Sequence, residues 1–421
     1  MKIKLLFAAA FLWATASSSP AFGQFDIGGK IKDRLQNRAE QSVDGALDKA
    51  ESAATQKRSN DEEQAEEEKS KSKSSKKDAP AGKSQQAEPA LQAFSKYDFV
   101  PGEKVIFFDD FSQANVGDYP GTWNTNGSGE VVTTNRFPGK WFKMGGSCYH
   151  IAETKGDFPD NFTVEYDIIP QRDQENNINS VGFYIVSGNI NDPNEGGAIP
   201  GKAGIKLSLG AGGYSYDFST YADGEYKISG GSDKYIMEEN QKYRISIWVQ
   251  KQRIRVYVNE NKVFDLPKAM PANFKYNILR FELSQGDPMI ANFRVSVGAP
   301  DMRSKLLTEG KLVTHGIYFD SGSDKVKPES YGTLKEIANV LKENASVKVK
   351  IVGHTDTDGD DKANLDLSKR RAAAVKASLS KDFGIDASRM ETDGKGEKEP
   401  ISPNSTPEGK ANNRRVEFIK L

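Results

Sequence analysis

Four short segments in the middle of the chain alternate apolar and polar residues with a period of two: YRISIWVQ (243–250), RIRVYVN (253–259), ILRFEL (278–283) and ANFRVSVG (291–298). Successive side chains of an extended strand point to opposite sides. Tyr243, Ile245, Ile247 and Val249 therefore share one face, as do Ile254, Val256 and Val258. The polar connections Lys251-Gln252 and Glu260-Asn261 suit antiparallel hairpins. One apolar and one polar face per strand predicts two packed sheets across 96–300.

A transmembrane barrel needs strands of roughly nine to eleven residues with an unbroken apolar side toward lipid. Here the segments are short, and Arg244, Gln250, Arg253 and Arg255 fill the alternate positions, which points to a soluble sandwich. FFDDFSQANVGDYPGTW (107–123) and RIRVYVNENKVFDLP (253–267) resemble concanavalin A-like or laminin G-like jelly rolls. The resemblance implies an all-β jelly-roll sandwich and raises the question of carbohydrate chemistry. Glu165 and Asp167, in FTVEYDIIP (162–170), alternate onto one strand face. Retaining glycosidases hold two carboxyl groups about 5 Å apart, and those of this fold resemble E-x-D-x-x-E. Pro170 stands at the third acid, so no hydrolysis is expected, and the two acids are read as solvated. Trp248 and Tyr257 fall on the non-core face of neighbouring strands. There they either stack on sugar rings, making the sandwich a polysaccharide adhesin, or cover its edge or pack against another domain. Asp109 and Asp110 are the candidate oxygen ligands for a structural calcium.

The N-terminal residues cannot belong to this sandwich. Lys2 and Lys4, an apolar run at 5–14, and small residues at Ala21 and Gly23 read as a secretory signal peptide over 1–23, cleaved before Gln24. The sole cysteine, Cys148, is far from that leader, so it cannot carry an N-terminal lipid and has no partner for an intrachain disulfide. It is read as a buried small hydrophobe. Ile27, Ile31, Leu35, Ala39, Val43 and Leu47 form one stripe of an amphipathic helix over 24–57. That helix is either a solvated, weakly self-associating one or docks on a membrane surface or partner helix. An acidic block at 61–68 meets a lysine-serine block at 69–77, so 58–95 reads as a disordered charged linker. Without residues 1–23 the chain keeps 56 basic against 59 acidic residues, which offers no footprint for nucleic acid. His150, His315 and His354 show no metal-ligand spacing.

Residues 301–421 read as strand, helix, strand, helix, strand, an α/β unit with a mixed sheet. The expected strands lie in 315–328, 346–353 and 414–421. Leu334, Ile337, Ala338 and Leu341 line the first helix, and the second runs from about Leu365 to Asp382. Between them GHTDTDGDDKANLDLSKRRAAAV (353–375) puts Asp356 on a loop after a strand and Arg371 near a helix start. A carboxylate and an arginine held apart in one pocket can grip a zwitterion. An ion pair between the two is the structural alternative. An EF-hand loop fails, because its twelfth position, counted from Asp356, is Leu367 rather than glutamate.

This stretch, with ANNRRVEF (411–418), resembles the OmpA-like peptidoglycan-binding domain over 301–421. The resemblance implies a ligand, the diaminopimelate of the wall's stem peptide. It carries the ammonium contact to Asp356, the carboxylate contact to Arg371, a loop-bracing asparagine to Asn364, and a pocket arginine to Arg414. FDSGS (319–323) matches the first pocket loop, with Gly322 where some members have asparagine. The resulting expectation is a non-enzymatic envelope protein of a diderm bacterium. It would be secreted to the periplasmic face of the outer membrane, would need no cofactor, and would anchor the envelope to peptidoglycan.

Overall fold

The computed structural model describes residues 97–421 other than 193–196, 198, 234, 235 and 300. The expected signal peptide, amphipathic helix and charged linker lie outside the described residues. The described residues form one compact unit.

Fifteen strands build the first part: β1 (Lys104–Asp109), β2 (Trp123–Thr125), β3 (Ser128–Thr133), β4 (Lys140–Gly145), β5 (Tyr149–Ala152), β6 (Asn161–Ile169), β7 (Val181–Ser187), β8 (Ala203–Leu209), β9 (Tyr216–Ala222), β10 (Glu225–Ser232), β11 (Tyr243–Gln250), β12 (Arg253–Val258), β13 (Asn261–Leu266), β14 (Ile278–Glu282) and β15 (Met289–Val297). They form two open antiparallel sheets. One runs β13-β12-β11-β6-β15-β4-β3 with β1 also on β15, and the other runs β10-β9-β8-β7-β14-β5-β2. The alternation sets the register as expected: Ile247 lies opposite Val256, and Trp248 opposite Arg255. Ile245, Ile247, Val249, Ile254, Val256 and Val258 are buried between the sheets with Val164, Tyr166, Phe281 and Phe293.

The second part holds α1 (Met302–Leu307), β16 (Lys311–Thr314), α2 (Tyr331–Glu343), β17 (Val349–His354), α3 (Asp361–Phe383), β18 (Met390–Gly396), α4 (Pro407–Asn413) and β19 (Val416–Lys420). The sheet runs β16-β19-β17-β18, with β17 and β18 parallel and the other pairs antiparallel. Two expectations need correction. The first strand precedes His315 rather than containing it, and 315–327 is a loop stitched by one bridge between Phe319 and Val326. A fourth strand, METDGKG, adds to β17. β19 sits inside the sheet, between β16 and β17. Helix α3 starts earlier than Leu365 because Asp360 caps it, accepting from the N–H groups of Lys362 and Ala363. Leu334, Ile337, Ala338 and Leu341 of α2 are all buried, as their spacing predicts.

The two parts pack on each other across the outer face of the eight-stranded sheet, and this overturns the reading of Glu165 and Asp167 as solvated. Both are buried, at 1% and 5% exposure. Arg244 donates to Glu165 at 3.0 Å and to Asp167 at 3.2 Å, while Asn292 donates to Asp167 at 2.8 Å. The Tyr318 hydroxyl, from the second part, donates to Glu165 at 2.7 Å. The Tyr318 ring faces the guanidinium groups of both Arg244 and Arg294, at 5.7 and 5.5 Å. Burial opposes ionisation of Asp167 most strongly, but Arg244, Lys242 and Lys327 with the Asn292 hydrogen bond together outweigh it and hold the carboxyl below its usual range.

Residues 97–102 wedge into the same seam. Phe99 meets Trp248 edge-on at 6.2 Å, and the Tyr257 hydroxyl donates to Asp98 at 2.9 Å. A Cβ on Gly332 would collide with the Phe99 carbonyl, so only glycine fits there. Tyr257 is fully buried, and Trp248 packs against the second part's core. They are not an open sugar platform.

Candidate functional site

Asp356 follows β17 and is nearly buried, at 7% exposure. One carboxylate oxygen accepts from the Asp358 N–H at 3.1 Å; the other takes Arg414 Nη1 at 2.5 Å. Its ion pair is thus with Arg414, not with Arg371. Asn364, in the first turn of α3, donates to the carbonyls of Asp356 and Asp358 at 3.4 and 3.1 Å and to Glu397 at 2.7 Å. It ties the acidic loop to the segment after β18. Ser368 supports the same joint by accepting from the Gly396 N–H at 2.9 Å.

Asn364 and Arg371 are seven residues apart, two helical turns, so they lie on one side of α3. Arg371 reaches the FDSGS loop. Its Nε donates to the Ser323 carbonyl at 2.9 Å and Nη2 to the Asp320 carbonyl at 3.2 Å, and its guanidinium faces the Phe319 ring at 4.8 Å. The loop therefore offers Arg371 backbone carbonyls and one ring. Gly322 has φ +67°, a conformation glycine and asparagine tolerate best. Burial pushes the Arg371 guanidinium down to about 10; Asp356 opposes that shift while Arg414 and Arg370 add to it. It stays cationic at neutral pH. Among the described residues its Nη1 makes no hydrogen bond.

Residues 412–415 diverge. Asn413 organises the preceding loop, accepting from the N–H groups of Ile401 and Ser402 at 2.8 and 3.0 Å. Arg414 faces Asp356. Arg415, just before β19, turns inward to buried Glu417 at 2.8 Å. Sequence reasoning missed Phe319, Glu397 and Lys410, the last paired with Asp358 at 2.6 Å. Phe319 stood within the quoted loop motif; the other two offered no local signal.

The OmpA family model matches residues 318–414, which span every residue just described around Asp356 and Arg371. Residues 318–414 are an OmpA family domain. The probable lipoprotein YiaD of Escherichia coli (strain K12) is 46% identical over 104 residues, 25% of this chain and 47% of that protein. The chain spans less than half the length of YiaD and of the Pseudomonas outer membrane porins F it also matches. The solved peptidoglycan-associated lipoprotein from Burkholderia pseudomallei aligns with a TM-score of 0.24 and 30% identity, over 25% of this chain and 88% of that one. The carbohydrate binding module CBM66 from Bacillus subtilis aligns with a TM-score of 0.30 and 18% identity, over 42% of this chain and 95% of that one.

Two other sequence candidates resolve differently. Both oxygens of Asp109 are engaged by protein donors, the Phe111 N–H at 2.7 Å, the Thr122 hydroxyl at 2.5 Å and the Trp123 indole at 3.1 Å. Cys148 lies 3.2 Å from His150 Nε2. Burial pushes the thiol up and the imidazole down to about 4, so neither partner is activated.

Proposed function

We propose that the chain is a secreted, non-enzymatic anchor that holds peptidoglycan through the diaminopimelate of its stem peptides. It would act at the periplasmic face of the outer membrane, with the two-sheet region as a jelly roll of the concanavalin A or laminin G kind. The observation that carries the reading is the charge balance around Asp356. One carboxylate is shared between an ion pair with Arg414 and the neighbourhood of Arg371, whose own hydrogen bonds go to neutral carbonyls. That leaves Arg371 for a ligand carboxylate, beside Asp356, whose oxygens each accept one hydrogen bond and keep a lone pair for a ligand ammonium. Asn364 fixes the loop that presents Asp356, and Arg414 frames it.

A charge-assisted contact contributes roughly 1.5–3 kcal/mol, so one stem is gripped weakly. The wall offers many stems, and repeated rebinding gives firm attachment. The test is co-sedimentation of the full chain with purified sacculi. Asp356→Ala and Arg371→Ala should each lose most binding while staying folded; retention of wild-type binding by both refutes the pocket. Glu165 and Asp167 are committed to Arg244 and Tyr318, and Trp248 and Tyr257 are covered, which removes support for a glycanase or an adhesin built on those residues.

A further inference from the structure

We propose that the sandwich is part of the wall-binding site: Phe108, on β1, is a positioning residue for Arg414, and Asn412 locks β1 in place to make it so. The inference rests on the wall-binding reading and concerns the same pocket.

The geometry begins with an irregular strand. β1 pairs with β15, but the register slips between Val105 and Phe107, so Ile106 is an extra residue. Without that bulge, Val105 and Phe108, three apart, would point to opposite sides of the sheet. With it they share a side, and both pack against Ala411 of α4. Phe107 is thereby free to enter the sandwich core.

The Asn412 side chain then acts as a surrogate strand partner. It accepts from the Val105 N–H at 3.1 Å and donates to the Val105 carbonyl at 2.9 Å, both buried. Two residues later Arg414 leaves α4, its guanidinium 5.0 Å from the Phe108 ring centre and one nitrogen 2.5 Å from Asp356. Arg294 of β15 faces that ring too, at 5.4 Å, and is itself tied to the His315 carbonyl at 3.4 Å. The shared ring thus puts a second cation beside Arg414, whose opposite charge is supplied by Asp356. The pocket wall is therefore made by two parts of the chain: the carboxylate comes from the α/β part, and the platform that aims its arginine comes from the sandwich.

The experiment uses the full chain and a stem tripeptide containing meso-diaminopimelate, titrated by calorimetry, with thermal unfolding followed in parallel. Phe108→Leu keeps apolar bulk but removes the π face, and should weaken binding roughly 3- to 10-fold. Phe108→Tyr should restore it. In an Arg414→Ala background, Phe108→Leu should cost nothing more, because the residue acts through that arginine. Wild-type affinity in Phe108→Leu, or the same loss with Arg414 absent, overturns the inference while leaving the pocket intact. Absence of tripeptide binding by the wild-type chain overturns the wall-binding reading and this inference with it.

Discussion

Two clusters of carboxylates and arginines among the described residues differ in how their charge is balanced. Under the seam, Glu165 and Asp167 face Arg244 and Arg294, two charges against two, sealed by Tyr318 and by residues 97–102. Around Asp356, one carboxylate faces Arg371 and Arg414, and the cluster is partly open: Arg414 keeps 30% of its side-chain exposure. From sequence the sealed pair looked more exposed and the open pair better matched, since Asp356 and Arg371 could have neutralised each other. The proposed pocket differs from the structural seam not in residue types but in whether charge is balanced and water excluded.

The largest effect that could break this comparison is on stability. Removing one partner of a buried pair strands the other, at about 3–5 kcal/mol, so Glu165→Ala should sharply lower the denaturant midpoint. The fraction that stays folded should still bind sacculi. A fully stable Glu165→Ala protein would mean the seam is dispensable.

Acid should sharpen the contrast next. His150 and His315 are buried, and burial depresses both imidazoles to about 4; for His315 the bond from Nε2–H to the Asn412 carbonyl opposes the shift. Each is neutral when folded but protonates near its ordinary value when unfolded. Their contribution is complete above about pH 6.5 and is lost as pH falls toward 4, on the order of 3 kcal/mol each. Denaturation measured across that interval should show the decline, and His315→Gln should flatten it; an unchanged slope would refute the assignment.

At the open cluster the order of effects reverses. Arg371→Ala should change folding stability by less than about 1 kcal/mol while costing roughly 10-fold or more in sacculus binding. A large fall in melting temperature would instead make Arg371 a strut for the FDSGS loop. The smallest expected effect is at Gly322, where a Cβ meets nothing within 4 Å. Gly322→Asn should leave binding within about twofold, because the loop meets Arg371 through carbonyls, and Gly322→Val should destabilise by roughly 1–2 kcal/mol through its left-handed backbone.

The faces of β11, β12 and α2 were legible because burial follows a local period: Ile245, Ile247 and Leu334 could be assigned by counting. β18 was not, since METDGKG has two glycines and alternating charges, and it becomes a strand only by pairing in parallel with β17. The positions of Asp356, Asn364 and Arg371 followed from a compact motif of one loop and one helix. Their partners did not: Arg414 is 58 residues from Asp356, and the fate of Glu165 depended on Tyr318, 153 residues away. A slipped register at Ile106 leaves no trace in composition at all.

The bond from Tyr318 to Glu165 and the cramped approach of Phe99 to Gly332 also bear on how such a chain is inherited. An OmpA family domain of this kind, moved by recombination onto another carrier, would arrive with a tyrosine hydroxyl, an asparagine amide and a side-chain-free helix start shaped for a host surface it no longer meets. The carrier, stripped of it, would expose an acid pair and a ring-lined strand to solvent. Exchange at this junction therefore selects against itself, and the two halves should travel through descent as a matched set, drifting together where they touch and separately elsewhere.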